Sequence, residues 1–320
     1  MRGLGSRMHR AGWRAWAAAL VAGTAVAGPI ETRRVPEQAA WVAHLDVALL
    51  RQGDVGAFLL EQVTRPPLSN RLAALRALLQ FDLREDLRGL TLIGFADRPE
   101  AGAMVLDGRF DADHLTTVVR GARDYSETVY HGDTVHHWMQ TRERGEAHPM
   151  FAAFDGPERL LLASDEAALQ ALLDVARDRE PSLANRPETF LPRTDAPAAL
   201  VAGAADVGSA VPEGPRSTML RGSRRGSIVL AESVGRVTLQ VSLMTADAER
   251  AQRLADVVRG IAALVELEAD TPPVLAQAAR NLQVQADGSI LNARTAAPAQ
   301  RLVEALRARL EEAAPENASP

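Results

Sequence analysis

The chain has 320 residues, 47% of them apolar but only 4% aromatic, and a formal net charge of −5; this suits roughly two domains with a core of Leu, Val and Ala. It contains no cysteine and no lysine, so all 36 basic residues are arginine. Disulfides, thiolate nucleophiles, zinc–thiolate sites and iron–sulfur clusters are thereby excluded, as are a lipid-modified cysteine, a Schiff base, a P-loop lysine and a Ser-Lys dyad.

Residues 1–27 read as a Sec-type signal peptide. Arg2, Arg7, Arg10 and Arg14 form a positive n-region, Ala15 to Ala27 is apolar, and Ala25-Val26-Ala27 is an A-x-A cleavage site before Gly28. The apolar run has 13 residues, short of the roughly 20 that span a bilayer, and no later stretch spans one. Loss of this segment, with four arginines and no acid, takes the net charge from −5 to −9. The expected location is extracytoplasmic, periplasmic or secreted, and an acidic protein is not expected to bind nucleic acid.

Residues 28–38 are polar and Pro-containing and are expected to be a mobile lead-in. A strand over 40–46 follows, then helices over 55–63 and 72–79, separated by Pro66-Pro67. The central module runs from Leu87 to Trp138. Strands 90–95 and 104–110 are joined by a polar loop, Asp111 caps a helix bearing Leu115, Val118 and Val119, and a hairpin turns at His131-Gly132-Asp133. A second hairpin over 150–163 turns at Gly156-Pro157, and Ser164 is expected to cap the helix carrying Leu169, Leu172 and Leu173.

Pro181, Pro187, Pro192 and Pro197 mark 178–197 as a linker. After it the order returns: a strand over 199–205, a hairpin ending in the alternating strand 237–243, a long helix capped by Thr245, a hairpin over Asp287-Gly288 and a last helix. Clean alternation at 237–243 suits an antiparallel sheet covered on one face. Val241 and Ile261 are expected to be buried against each other there.

The reading is an α+β fold of two diverged repeats, each hairpin–helix–hairpin–helix on an antiparallel sheet with the helices on one face. The divisions are 1–27 signal, 28–38 lead-in, 39–177 first repeat, 178–197 linker, 198–313 second repeat and 314–320 disordered tail. Leu87–Phe95, the Tyr130-His-Gly turn, Phe154-Asp-Gly156 and Ala163-Ser-Asp165 resemble a family of uncharacterised exported bacterial proteins with tandem α+β repeats and a Tyr-x-Gly hairpin. The resemblance covers about residues 40–176 and implies export and fold, with no established activity.

Candidate sites are few. His131, Asp133 and His136 carry transition-metal donors at one hairpin, with His137 beside them and His114 in reach only if a helix end packs there. Adjacent strand residues point to opposite faces, so His136 and His137 cannot both contribute. Asp111-x-Asp113-His114 reads as a helix start. Ser233, in Ala-Glu-Ser-Val-Gly, lacks the following helix that a nucleophile elbow needs. Arg216, Arg221, Arg224 and Arg225 lie in a loop over 208–226 and suit an anion or glycan.

The leading expectation is a non-catalytic exported protein with a binding or structural role in the cell envelope, using no cofactor, its partner unknown but of an envelope protein or polymer kind. The alternatives are a metal-dependent enzyme at the His131/Asp133/His136 hairpin and an anion or glycan binder using the arginine loop.

Overall fold

The computed structural model describes residues 30–63, 65–66, 68–141, 147–186, 188–192, 197–207 and 223–313. It is an α+β protein built on one antiparallel sheet of 12 strands. The strands are β1 (Ala39–Asp46), β2 (Leu87–Phe95), β3 (Gly102–Gly108), β4 (Ser126–Tyr130), β5 (Asp133–Thr141), β6 (Ala147–Phe154), β7 (Arg159–Ala163), β8 (Leu200–Ala204), β9 (Arg225–Ser233), β10 (Arg236–Met244), β11 (Gln283–Asp287) and β12 (Ile290–Pro298). The helices are α1 (Val47–Leu50), α2 (Asp54–Val63), α3 (Leu68–Leu79), α4 (Ala112–Arg120), α5 (Glu166–Ala176), α6 (Ala248–Leu267), α7 (Pro273–Arg280) and α8 (Ala299–Ala313).

The strand order is β11-β12-β10-β9-β8-β1-β2-β3-β7-β6-β5-β4. Outward from the central β1–β8 pair, β8-β9-β10-β12-β11 repeats β1-β2-β3-β7-β6, so the order does recur as expected, but the counterpart of β11–β12 is the β6–β7 hairpin rather than the β4–β5 hairpin that ends the 87–138 module. The β4–β5 hairpin is an addition at one edge. Because β1 pairs with β8, the repeats share a single sheet.

Directly opposed residues of neighbouring strands lie on the same face. One row runs Thr295–Leu239–Leu230–Leu200–Leu45–Leu90–Leu106–Leu160–Phe154, and it defines a front face. α7 is on this face, since Thr295 Oγ1 donates to the Ala278 carbonyl at 2.6 Å. So is α2, whose first two amides, Asp54 and Val55, donate to the Glu232 carboxylate at 2.6 and 3.2 Å. α8 packs on α2 and α7, with the Arg307 guanidinium over the Phe58 ring.

The back face carries the dense core. Val42, Ile93, Val105, Leu161, Ala153 and Val201 meet Leu169, Leu172 and Leu173 of α5, all buried. α5 is the helix that departs from the one-face arrangement. Its buried residues span Ala168, Leu169, Ala171, Leu172, Leu173 and Val175, a stripe wide enough to seal the first repeat from behind. In the second repeat the back face is polar: Gln240, Asn292 and Arg294 are exposed there.

Four local expectations are corrected. The lead-in is docked rather than mobile over residues 30–38: Val35 is 2% exposed, Ile30 packs on the core, and Arg34 pairs with Asp155 at 2.8 Å. The described part of the linker contributes to the core, with Leu183, Phe190 and Leu191 buried. Asp165, one residue past Ser164, caps α5 by accepting from the Ala168 amide at 3.0 Å, while the Ser164 hydroxyl accepts from the Gly102 amide. Asp247, not Thr245, caps α6; the Thr245 hydroxyl is drawn to the carbonyls of Asp247 and Ser289. Carboxylates outcompete the neighbouring hydroxyls because a charged acceptor makes the stronger bond to a helix's free amides. The signal segment and the tail lie outside the described residues.

The β9–β10 turn is Val234-Gly235, with φ of 50° and 68°. Both central residues at positive φ define the tight I′ hairpin turn, which favours Asn-Gly. A β-branched residue there is strained, and Val234 is 97% exposed, so nothing compensates. Val234→Asn is expected to stabilise the protein by about 1 kcal/mol, read as a higher denaturant midpoint.

Candidate functional site

The sheet's front face under α3 and α4 is not closed. α3 and α4 contain no buried residue, although Leu72, Leu75 and Leu79 of α3 and Leu115, Val118 and Val119 of α4 line one space with the sheet. The floor of that space is Leu106, Leu160, Leu162, Ala152, Phe154, His136 and Trp138. The result is an apolar cleft of about 880 Å³.

Two contacts hold the helices away from the sheet. Phe81, just beyond α3, stacks on Phe110, just before α4, with ring centroids 4.9 Å apart. Phe81 forms a small separate core with Val47 and Leu87, and Phe110 packs against it. The His114 ring nitrogen Nε2 lies 2.9 Å from the Leu78 carbonyl and ties α4 to α3. The helices thus brace each other rather than the floor.

The titratable groups that line the cleft among the described residues occupy two places. At the rim, Asp82 is 8% exposed and faces Arg76 Nη1 at 2.9 Å and Arg84 Nε at 3.6 Å. Burial alone would raise the Asp82 pKa, but the Arg84 backbone amide and the two guanidiniums outweigh it and hold the carboxyl below its ordinary value.

In the floor, His136 is 5% exposed. Its Nδ1 lies 3.0 Å from the Tyr125 hydroxyl, which donates to Glu127 at 2.9 Å; Arg120 also donates to Glu127. Since the tyrosine gives its one proton to Glu127, His136 must donate Nδ1–H to the tyrosine oxygen. Burial lowers the His136 pKa, against the opposing pull of Glu127 and with that of Arg120, so the ring is neutral near pH 7.

The proposed metal donors do not converge. His131 sits in the turn at positive φ with its ring against Tyr130. Asp133 is taken by Arg177 at 2.6 Å and Arg179 at 3.6 Å. Asp133 shares a face with buried Val135 on the back of β5, whereas His136 points to the front. Opposite faces of one strand separate the donors, and no group of three metal-binding side chains exists among the described residues. Asp111 caps α4 as expected, accepting from the His114 amide. Ser233 ends β9 and leads into a hairpin turn rather than a helix. Of the arginine loop, Arg216 and Arg221 lie outside the described residues. Arg225 is paired with Glu188 at 2.6 Å, and the Arg224 amide donates to the Met244 carbonyl.

No family model matches the chain, and no curated protein matches it. Among solved structures, the protein TP0453 in crystal form III is similar with a TM-score of 0.49 and 11% identity, covering 88% of this chain and 99% of that one. Its crystal form IV gives 0.48 and 11%, covering 86% and 95%.

Proposed function

We propose that this protein is exported and binds an apolar small molecule non-catalytically in the front cleft. The observation that carries the reading is the open, leucine-lined space of about 880 Å³. Protein interiors are packed like organic crystals, and natural voids rarely exceed a few waters. A space this large under two braced helices falls in the size range of ligand sites, about 300–1,000 Å³. Its walls are apolar with a few placed polar groups, the usual composition of a small-molecule site. Export is supported by the arginine n-region and the A-x-A site before Gly28.

The test is saturable binding of a neutral naphthylamine dye to the purified chain. One dye per chain is expected. Ala152→Trp, which puts an indole into the floor, should weaken binding by at least about tenfold, a loss of roughly 1.4 kcal/mol, while the chain still melts cooperatively. Absent binding, or equal binding by a folded Ala152→Trp variant, would overturn the assignment. N-terminal sequencing of exported material is expected to begin at Gly28; intact chain confined to the cytoplasm would remove the export half of the reading.

A further inference from the structure

Among the described residues, the charged groups that line the cleft are Arg76, Asp82 and Arg84. They sit together at one place, where the turn after α3 meets the rim. Asp82 is ionised, because its carboxyl is held below the ordinary value, so the cluster carries one net positive charge. Asp82 engages Nη1 of Arg76 and Nε of Arg84, which uses only part of each guanidinium fork. Both arginine side chains are at least half exposed, 59% and 50%, so their remaining N–H groups are reachable from the cleft mouth. Of the two acids that follow Arg84, Asp86 is already bound by Arg109 at 2.6 Å, and exposed Glu85 lines a neighbouring groove with Arg76 and Asp82 rather than the cleft itself.

The remaining titratable side chain in the lining among the described residues, His136, adds no charge because burial lowers its pKa. The deep part of the cleft is otherwise Leu106, Leu160, Leu162 and Phe154. One end therefore offers a cationic fork and the interior offers hydrocarbon. Guanidiniums bind carboxylate and phosphate bidentately, whereas a desolvated ammonium head would meet two like charges. Resting on the apolar-ligand reading above, we propose that the ligand is a single-chain amphiphile with an anionic head. Its head is held at Arg76 and Arg84, and its tail lies over the β3–β7 floor. The buried Asp82 is a positioning residue: it fixes both guanidiniums at the rim.

The test is displacement of the same neutral dye from the full chain by dodecanoate, hexadecanoate, hexadecyl phosphate, hexadecanol and hexadecylamine. Hexadecanoate or hexadecyl phosphate should bind at least about tenfold tighter than hexadecanol, and the amine weakest. The carboxylate and phosphate arms tell a fatty acid from a phosphorylated head. Lengthening the carboxylate from dodecanoate should tighten binding by up to about fourfold per methylene. The double variant Arg76→Gln, Arg84→Gln should erase the preference for the anions and leave hexadecanol unchanged. Arg76→Lys, Arg84→Lys keeps the charge and should retain most of it, which separates a charge effect from a folding defect. If alcohol and carboxylate compete equally, or the Gln pair keeps the preference, the head assignment is wrong while apolar binding stands. If none of the five displaces a bound dye, a chain-shaped ligand is excluded. If the dye itself fails to bind, the failure belongs to the underlying reading.

Discussion

Leu172→Ala is expected to cost about 3–5 kcal/mol, near the upper range for deletion of a buried leucine. Leu172 is 1% exposed and lies at the centre of the back core, where α5 meets Val105, Leu161 and Ala153. That layer is closed on every side by sheet, helix and the docked segment around Val35 and Leu183, so the neighbours cannot collapse into the space left behind. Leu75→Ala on α3 removes the same atoms but should cost no more than about 1 kcal/mol, because Leu75 is 44% exposed at the open cleft. Urea midpoints of the two variants measure the contrast. Equal costs would mean that the front layer is packed as firmly as the back, and that the cleft closes in solution.

The difference between the two faces was only half legible in the sequence. Periodicity located the strands and helices well, because a strand such as Val237–Leu243 declares its faces by simple alternation and Gln240 is exposed as that alternation requires. Which side of a wide helical stripe meets the sheet is a different matter. In α6 the apolar positions Leu254, Val257, Val258, Ile261, Leu264 and Val265 cover more than one face. Contact is made through Ala251 and Ala255, both 0% exposed, which allow the closest approach. The helix therefore turns Leu254, Val258 and Val265 inward and leaves Ile261 51% exposed, while Val241 is half-buried. The expected Val241–Ile261 contact fails for that reason.

The cleft was not legible for a related reason. The apolar faces of α3 and α4 could be read, and by themselves they predict ordinary packing on the sheet. The gap depends on how far the helices stand off. That distance is set by the Phe81–Phe110 stack and the His114–Leu78 bond, contacts across 29 and 36 positions that no local pattern encodes. Asp82 offered a signal, an acid between Arg76 and Arg84, but charges so spaced are common on solvated surfaces. The histidine hairpin misled in the opposite way: donors close in sequence lie on opposite faces of a strand.

Asp155→Ala is expected to destabilise the protein by about 3 kcal/mol. The Asp155 side chain is 11% exposed and accepts from Arg177 Nη1 at 2.6 Å and Arg34 Nη1 at 2.8 Å, with Arg159 Nη1 at 3.5 Å. One carboxylate thus joins the lead-in, the β6–β7 turn and the end of α5. Its loss removes one partner of Arg159, which is 15% exposed and keeps Asp107 at 2.7 Å and Glu31 at 3.6 Å. Arg34 and Arg177 are 41% and 33% exposed and can turn to water, which keeps the cost at the low end of the range for a broken buried pair. Burial alone would raise the Asp155 pKa, but Arg177, Arg34 and Arg159 outweigh it and hold it below the ordinary value. The stabilisation is therefore fully present above the unfolded carboxylate pKa of about 3.9. It is lost as pH falls from there through the folded value. Asp155→Asn, which cannot ionise, should lack this part of the acid slope, so its deficit relative to the parent should shrink between neutral pH and about pH 3. Denaturant midpoints across that range decide the matter. An unchanged midpoint for Asp155→Ala at neutral pH would mean that Val35 and Leu172 hold the lead-in and α5 by packing alone, and that the arginines around Asp155 are only a solvated rim.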